Sequence, residues 1–309
     1  MVEMSIIFPT MNSADYIDDC LKMICYQKFE KEYEVLVGFE ESTDNTREIL
    51  ERYPLKIYDI EPGEFHHART RNEMIDYVDS KYVVLISDDV VPKDHDWLSE
   101  MWKIIESDEK TAGLFGKELS KQNTTPMEEF YKHYNYPDSR FIITEDSLDS
   151  LEKYKNYFTF TNTIIRKSVW KNHPFNTEIL NSGDKDWALE AVLNGYKIVY
   201  DPSFPVYHSH NFTISGIFKR FFDYGVALEQ SEYQKEYEKI DSNKNLISEG
   251  IDYFNKEFKY FKDKGYEEKI FYAFLYDIGR FIGFNLGKKH NIFPKFLKSK
   301  MSLEIPKLS

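Results

Sequence analysis

Four short stretches bring carboxylates, imidazoles and guanidinium groups close together in this chain. Ser87-Asp88-Asp89 closes the apolar run Tyr82–Ser87, so two carboxylates stand where a strand ends. Hard oxygen ligands of that kind suit a divalent cation that also holds a diphosphate, although such a pair equally suits a turn or helix cap. In the stretch Ser182–Glu190, Asp184 and Asp186 fall in the first turn of a predicted helix. There they either favour the helix dipole or supply a general base that takes a proton from a hydroxyl. Tyr207-His-Ser-His-Asn211 follows a strand. Its histidines, His208 and His210, are spaced i, i+2 and point the same way on extended backbone, as a metal ligand and its neighbour would. The stretch Gly63–Asn72 carries His66, His67, Arg69 and Arg71 at the start of a helix. Arginine is a natural fork for a diphosphate, and a helix N-terminus favours anions.

These groups need a scaffold, and the hydrophobic periodicity supplies one. Met4–Pro9, Tyr33–Phe39, Leu55–Asp59, Tyr82–Ser87 and Ala112–Gly116 are predicted strands. Between them lie predicted helices: one capped by Ser13 and carrying Tyr16 to Cys25, one starting at Ser42-Thr43-Asp44, then His66–Val78 and Asp96–Ser107. Alternation of this kind predicts an α/β fold with a mostly parallel sheet and helices on both faces, whose chemistry gathers at the carboxyl ends of the strands. Residues 120–155 are polar and aperiodic, a loop and short helix beside the site, and Lys197–Tyr207 is a late strand. Beyond Thr213, the stretches Gly216–Tyr237, Asn243–Lys264 and Tyr266–Leu286 are predicted helices. The expected organisation is therefore a catalytic domain over residues 1–212 and a helical region over 213–309.

Composition narrows the function classes. The chain has 309 residues, 23 Tyr and 24 Phe, enough apolar material for a real core, and a net charge of −13. That balance argues against a general nucleic-acid binder, which needs clustered positive charge. Two cysteines, Cys20 and Cys25, make no disulfide framework and point to a reducing compartment. The first apolar run is too short for a secretory leader, so a cytoplasmic location is expected. There is no GxGxxG and no Walker A loop, which removes support for redox and P-loop readings. The segment after the first strand, Thr10-Met-Asn-Ser-Ala, also lacks the Gly-rich basic loop of a sugar nucleotidyltransferase.

At this point the chain resembles a family 2 glycosyltransferase of the GT-A fold, and within it the bacterial rhamnosyltransferase branch. The strings that carry the likeness are SIIFPTMNSADYIDDCL, VLVGFEESTDNT, GEFHHARTRN, LISDDVVP, GDKDWALEAVLNGYKIVYDPSFPVYHSHN and IGFNLGKKHNIFPKFLKSKMS. The resemblance implies transfer of a sugar, rhamnose in that branch, from a dTDP- or UDP-sugar to a hydroxyl of a glycan or lipid-linked saccharide, with inversion at C1. It implies Mn²⁺ or Mg²⁺ held by Asp89 of the D-x-D element, whose first Asp is Ser87 here, with His208 and its neighbour His210. Thr10, Glu40, Arg71 and Asp88 stand at donor-binding positions. Phe39 replaces the usual aspartate after the second strand, as a stacking ring or with Glu40 as a shifted carboxylate. Asp184 matches the Asp of the E-D motif, preceded here by Gly183, and is the candidate base, with Asp186 the second candidate. A non-catalytic module that kept the fold is the alternative reading.

The C-terminal region adds an expectation about partners. Ile270–Leu286 is strongly apolar but broken by Asp277 and Arg280, and Lys288, Lys289, Lys295, Lys298, Lys300 and Lys307 follow against Glu304 alone. Such a pattern suits bundle packing, a homodimer contact or peripheral association with an anionic membrane.

Overall fold

A computed structural model describes residues 2–148, 158–181, 183–235 and 246–305. Lys307, Ser182 and the expected helix residues 236, 237 and 243–245 lie outside the described residues. The chain divides into two compact units, one of residues 1–121, 135–177 and 183–208, the other of residues 122–134, 178–182 and 209–309.

The first unit is built on one sheet. Its strands are β1 (Val2–Thr10), β2 (Tyr33–Glu40), β3 (Lys56–Ile60), β4 (Ser80–Ile86), β5 (Val91–Pro92), β6 (Thr111–Leu119), β7 (Phe141–Ile143), β8 (Asn162–Arg166) and β9 (Lys197–Tyr207). They stand in the order β3-β2-β1-β4-β8-β6-β9-β5, with β7 also on β9. The α/β reading holds, and β3, β2, β1 and β4 are parallel as expected. Beyond β4 the sheet is mixed, because β8 runs antiparallel to both β4 and β6, and β5 and β7 run antiparallel to β9. The cause is the connection from β6 to β8. It leaves the sheet past Leu119 and re-enters at Asn162, opposite Ile86, so both ends lie at the edge where β4 ends. A strand that returns from the edge it left must run backwards.

Helices cover the sheet because their apolar residues recur at helical spacing. In α1 (Ile17–Ile24), Ile17, Cys20, Leu21 and Ile24 are buried. They join Ile6, Phe8, Val35, Val37, Val84, Ile86, Leu114, Ile164 and Val199 in the principal core. Each such side chain contributes roughly 1.5–3 kcal/mol on burial. The remaining helices of this unit are α2 (Thr46–Leu50), α3 (His67–Tyr77), α4 (Trp97–Glu106), α6 (Lys167–Asn172) and α7 (Gly183–Leu193). Ser13 does not cap α1 through its side chain. Its carbonyl accepts from the Ile17 N–H at 2.9 Å, while its hydroxyl turns to Thr10 at 2.5 Å.

The second unit is helical: α5 (Pro126–Asn135), α8 (Ile214–Gln230), α9 (Leu246–Lys264), α10 (Ile270–Gly287) and α11 (Lys295–Met301). Helix α10 lies against α8 through glycine. A Cβ added at Gly283 would stand 2.2 Å from the Phe218 carbonyl oxygen, and one at Gly287 would stand 2.1 Å from that of Phe222. Beside this contact Arg280 is enclosed by rings, its guanidinium 4.7 Å from the Phe221 centroid and 4.8 Å from that of Tyr253. It donates to the Tyr253 hydroxyl at 2.6 Å and to Asp277 at 3.3 Å. Among the described residues, no helix is long and apolar enough to cross a membrane.

Two predictions follow from this packing. Gly283→Ala should lower stability by roughly 1–3 kcal/mol through overpacking. Gly250→Ala in α9, where an added Cβ meets nothing within 4 Å, should raise it by about 0.5–1 kcal/mol. Urea midpoints compare the two, and equal midpoints would mean the helices do not meet at Gly283. The second concerns Glu257, which is buried at 1% exposure. Burial, and then the Asp277 carboxylate, raise the Glu257 pKa well above the usual carboxylate range. The folded state therefore keeps a proton that the unfolded chain has released, and stability falls as pH rises above that range. Melting temperatures at pH 5 and pH 8 should drop less for Glu257→Gln than for the parent chain.

Candidate active site

The site lies where β1, β2, β4 and β6 end. The loops after β1 and β2 are tied together by short polar side chains. Asn12 takes a left-handed conformation, φ 52°, which asparagine tolerates better than most residues. Its side-chain oxygen accepts from the Thr43 N–H at 2.8 Å, and its own N–H donates to the Ser42 hydroxyl at 3.0 Å. Asp44 accepts from the Ala14 N–H at 3.0 Å, and the Thr46 hydroxyl accepts from the Ser13 N–H at 2.8 Å. These bonds leave Thr10 at the floor of the loops, where its hydroxyl donates to Asp88 at 2.8 Å. Tyr16 donates to the same Asp88 oxygen at 3.4 Å. Burial pushes the Asp88 carboxyl up to about 6, against the hydrogen bond from Thr10.

Arg71 is carried in by α3 and is 7% exposed. Its Nη1 donates to the His67 carbonyl at 2.9 Å, and its guanidinium lies 5.2 Å from the Phe160 centroid. Its buried Nε has no hydrogen-bond partner among the described residues. Burial lowers its pKa to about 10, while the carboxylates of Asp184 and Asp88 act to hold the charge. A buried N–H without a partner is uncommon in a folded protein. Arg69, by contrast, is half-exposed and pairs with Glu64 at 3.1 Å, and the His66 ring accepts from the Arg69 N–H at 3.2 Å as the cap of α3. Of the basic cluster in Gly63–Asn72, Arg71 faces the interior.

Asp89 and His208 form the second focus. The His208 Nε2 lies 3.3 Å from Asp89 Oδ1, and the Lys121 ammonium donates to Asp89 Oδ2 at 2.7 Å. Behind the ring, His208 Nδ1 is 2.7 Å from Glu118 Oε2, and the Tyr136 hydroxyl donates to Glu118 Oε1 at 2.5 Å. A carboxylate can only accept, so Nδ1 carries the proton and Nε2 turns its lone pair toward Asp89. Two acceptors 3.3 Å apart are completed by a proton or by a metal ion. His210, two residues along the chain from His208, is exposed. A histidine oriented by a carboxylate behind it is how proteins prepare an imidazole for a metal, so this donor set fits a divalent cation.

The comparisons with known proteins decide the family. Residues 5–173, more than half of the chain, match the model of Glycosyl transferase family 2. The chain belongs to that family. It is similar to the O-antigen chain rhamnosyltransferase WbaN of Salmonella anatum, 27% identical over 256 residues, covering 82% of this chain and 79% of the relative. Among solved structures it is similar to S. aureus TarS, at 18% identity and a TM-score of 0.53, over 93% of this chain. It spans only 55% of that TarS chain. It is also similar to the mannosyltransferase PcManGT from Pyrobaculum calidifontis in complex with GDP-Man and Mn²⁺, at 16% identity and a TM-score of 0.54, covering 93% of this chain and 73% of that one. At such identities these two likenesses show the shared GT-A fold.

Within this glycosyltransferase the two helix-start aspartates separate. Asp184 is half-buried, with its oxygens accepting from the Phe160 N–H at 3.2 Å and the Lys185 N–H at 2.8 Å. Asp186 is turned into the interior at 1% exposure. Phe39 is 6% exposed within the core, with the Arg47 guanidinium 5.1 Å from its ring centroid. Glu40 accepts from the Gly63 N–H at 2.7 Å and so anchors the turn before α3. The sequence reading missed Glu118, Lys121 and Tyr136. Glu118 lies past Gly116, where the predicted strand ended, and the structure extends β6 through Leu119. Lys121 and Tyr136 lay in a stretch without periodicity.

Titration of the protein with Mn²⁺, followed by calorimetry, tests the Asp89–His208 focus. His208→Ala should abolish tight binding. Glu118→Gln should weaken it by about 10–100-fold, the usual cost of losing the group that orients a metal-binding histidine. Unchanged binding by both variants would place the metal elsewhere.

Proposed function

We propose that this glycosyltransferase is a metal-dependent, inverting enzyme of surface polysaccharide assembly. It moves a sugar from a dTDP- or UDP-sugar to a hydroxyl of a glycan or lipid-linked saccharide on the cytoplasmic side of the membrane. Rhamnose is favoured by the likeness to WbaN. The observation that carries the reading is Arg71, a buried guanidinium with an unpartnered N–H, subject to the fields of Asp184 on one element and Asp88 on another.

The chemistry then divides among this chain's residues. The acceptor oxygen forms a bond to C1 on the face opposite the leaving group, and its proton passes to the Asp184 carboxylate. The bond from C1 to the diphosphate oxygen breaks, and the electron pair leaves with the nucleoside diphosphate. Arg71 stabilises the charge that develops there. Thr10 and Asp88 line the donor side, and Glu40 keeps the turn before α3 in place. Asp89, His208 and His210 would hold a divalent ion, which supplies further positive charge to the diphosphate when bound. Two imidazoles in the donor set favour Mn²⁺ over Mg²⁺, which prefers oxygen ligands.

A coupled assay for released nucleoside diphosphate, run over a panel of nucleotide sugars with Mn²⁺ or Mg²⁺, tests the activity. Asp184→Asn should keep donor affinity and lose roughly 10²–10⁴-fold in kcat, the typical worth of a positioned base. Near-full transfer by this variant would move the base elsewhere. Donor binding by the parent chain with neither transfer nor hydrolysis would favour a non-catalytic module.

A further inference from the structure

Helix α10 is unusual in how its residues are shared between its two faces. The side toward α8 carries Gly279, Gly283 and Gly287, all buried, with Ala273 and Tyr276. Both charged residues of the helix are drawn into the interior of the unit, where Arg280 is bonded to Asp277 and Tyr253. The interruption that Asp277 and Arg280 seem to make in the sequence is therefore absent from the outer face. That face exposes Phe271 at 72%, Phe274 at 45%, Leu275 at 36%, Ile278 at 37%, Phe281 at 50% and Ile282 at 44%. These positions recur at spacings of three and four, so they form one ridge. From Phe271 to Ile282 the ridge runs roughly 18 Å. An uninterrupted apolar ridge of this size marks an interaction surface.

Charge indicates what it meets. Directly after the ridge come Lys288, Lys289, Lys295, Lys298 and Lys300, with no carboxylate until Glu304, which pairs with Arg220 at 3.3 Å. In a chain of net charge −13 this is a local concentration of positive charge beside aromatic rings. Apolar rings at the depth of the acyl boundary and lysines at the level of acidic phosphates complement an anionic bilayer. We propose that α10 lies along the surface of an anionic lipid bilayer, its Phe271–Ile282 ridge inserted and the 288–300 lysines on the headgroups. This proposal does not depend on the reading of the active site.

Flotation of the full chain with vesicles tests it, using phosphatidylcholine alone and phosphatidylcholine mixed with phosphatidylglycerol, at low and physiological salt. Binding should require the anionic lipid and weaken with salt. The combined variant Lys288→Gln, Lys289→Gln, Lys295→Gln should bind about 100-fold more weakly, at about 1 kcal/mol for each lysine. Phe271→Ser with Phe281→Ser should also lose binding, and because both rings are exposed its urea midpoint should match that of the parent. Absence of binding to anionic vesicles would overturn the proposal. So would binding that both variants leave unchanged, or a dimer in solution, by sedimentation, that the phenylalanine variant dissociates.

Discussion

Several carboxylates end up at one edge of the first unit's sheet, and their mutual repulsion is the constraint around which that edge is built. Asp88 and Asp89 leave β4 together, Glu118 sits in β6, and Asp184 begins α7. Like charges in a region of low dielectric cannot stay ionised without cations among them. The fold supplies these from separate elements, Lys121 on Asp89 and Arg71 in the fields of Asp88 and Asp184, while His208 gives Glu118 an N–H. Arg71 keeps one buried N–H without a partner among the described residues. In the proposed function a diphosphate would bring negative charge to this edge, and a divalent ion at Asp89 and His208 would add the positive charge to match it.

Position follows from the same economy of polar groups. The loops after β1 and β2 carry no regular structure, yet Asn12, Ser42, Asp44 and Thr46 satisfy their backbone N–H groups across the gap. Short side chains that bond to backbone are well suited to this task. The loops are tied to each other, and Thr10 beneath them holds Asp88. In the second unit a comparable role falls to Arg280. Its ring cage and its bond to Asp277 remove two charges from the surface of α10 and leave the opposite face apolar.

Much of the architecture was legible from local pattern. The first four strands and helices α1, α3 and α4 are recognised because burial on one face imposes a period on nearby residues, and β1, β2 and β4 differ from their predicted spans by a residue or two. The placement of Asp88 and Asp89 at a strand end was legible for the same reason. Strand β8 was not recognised, and its reversed direction depends on where a long connection re-enters the sheet. Residues 149–157 of that connection lie outside the described ones.

The sequence by itself therefore determined the α/β class, the family and the carboxylate, imidazole and guanidinium groups available for chemistry, because these are set by residue type and short-range spacing. Only the tertiary structure decided which of them meet. Glu118 and His208 are 90 residues apart, Lys121 and Asp89 are 32 apart, and no local period links such pairs. Tertiary packing also decided which of two neighbouring aspartates, Asp184 or Asp186, faces outward. It turned Asp277 and Arg280 inward as well, since a helix buries whichever side its neighbours can accommodate, and here the glycines chose that side.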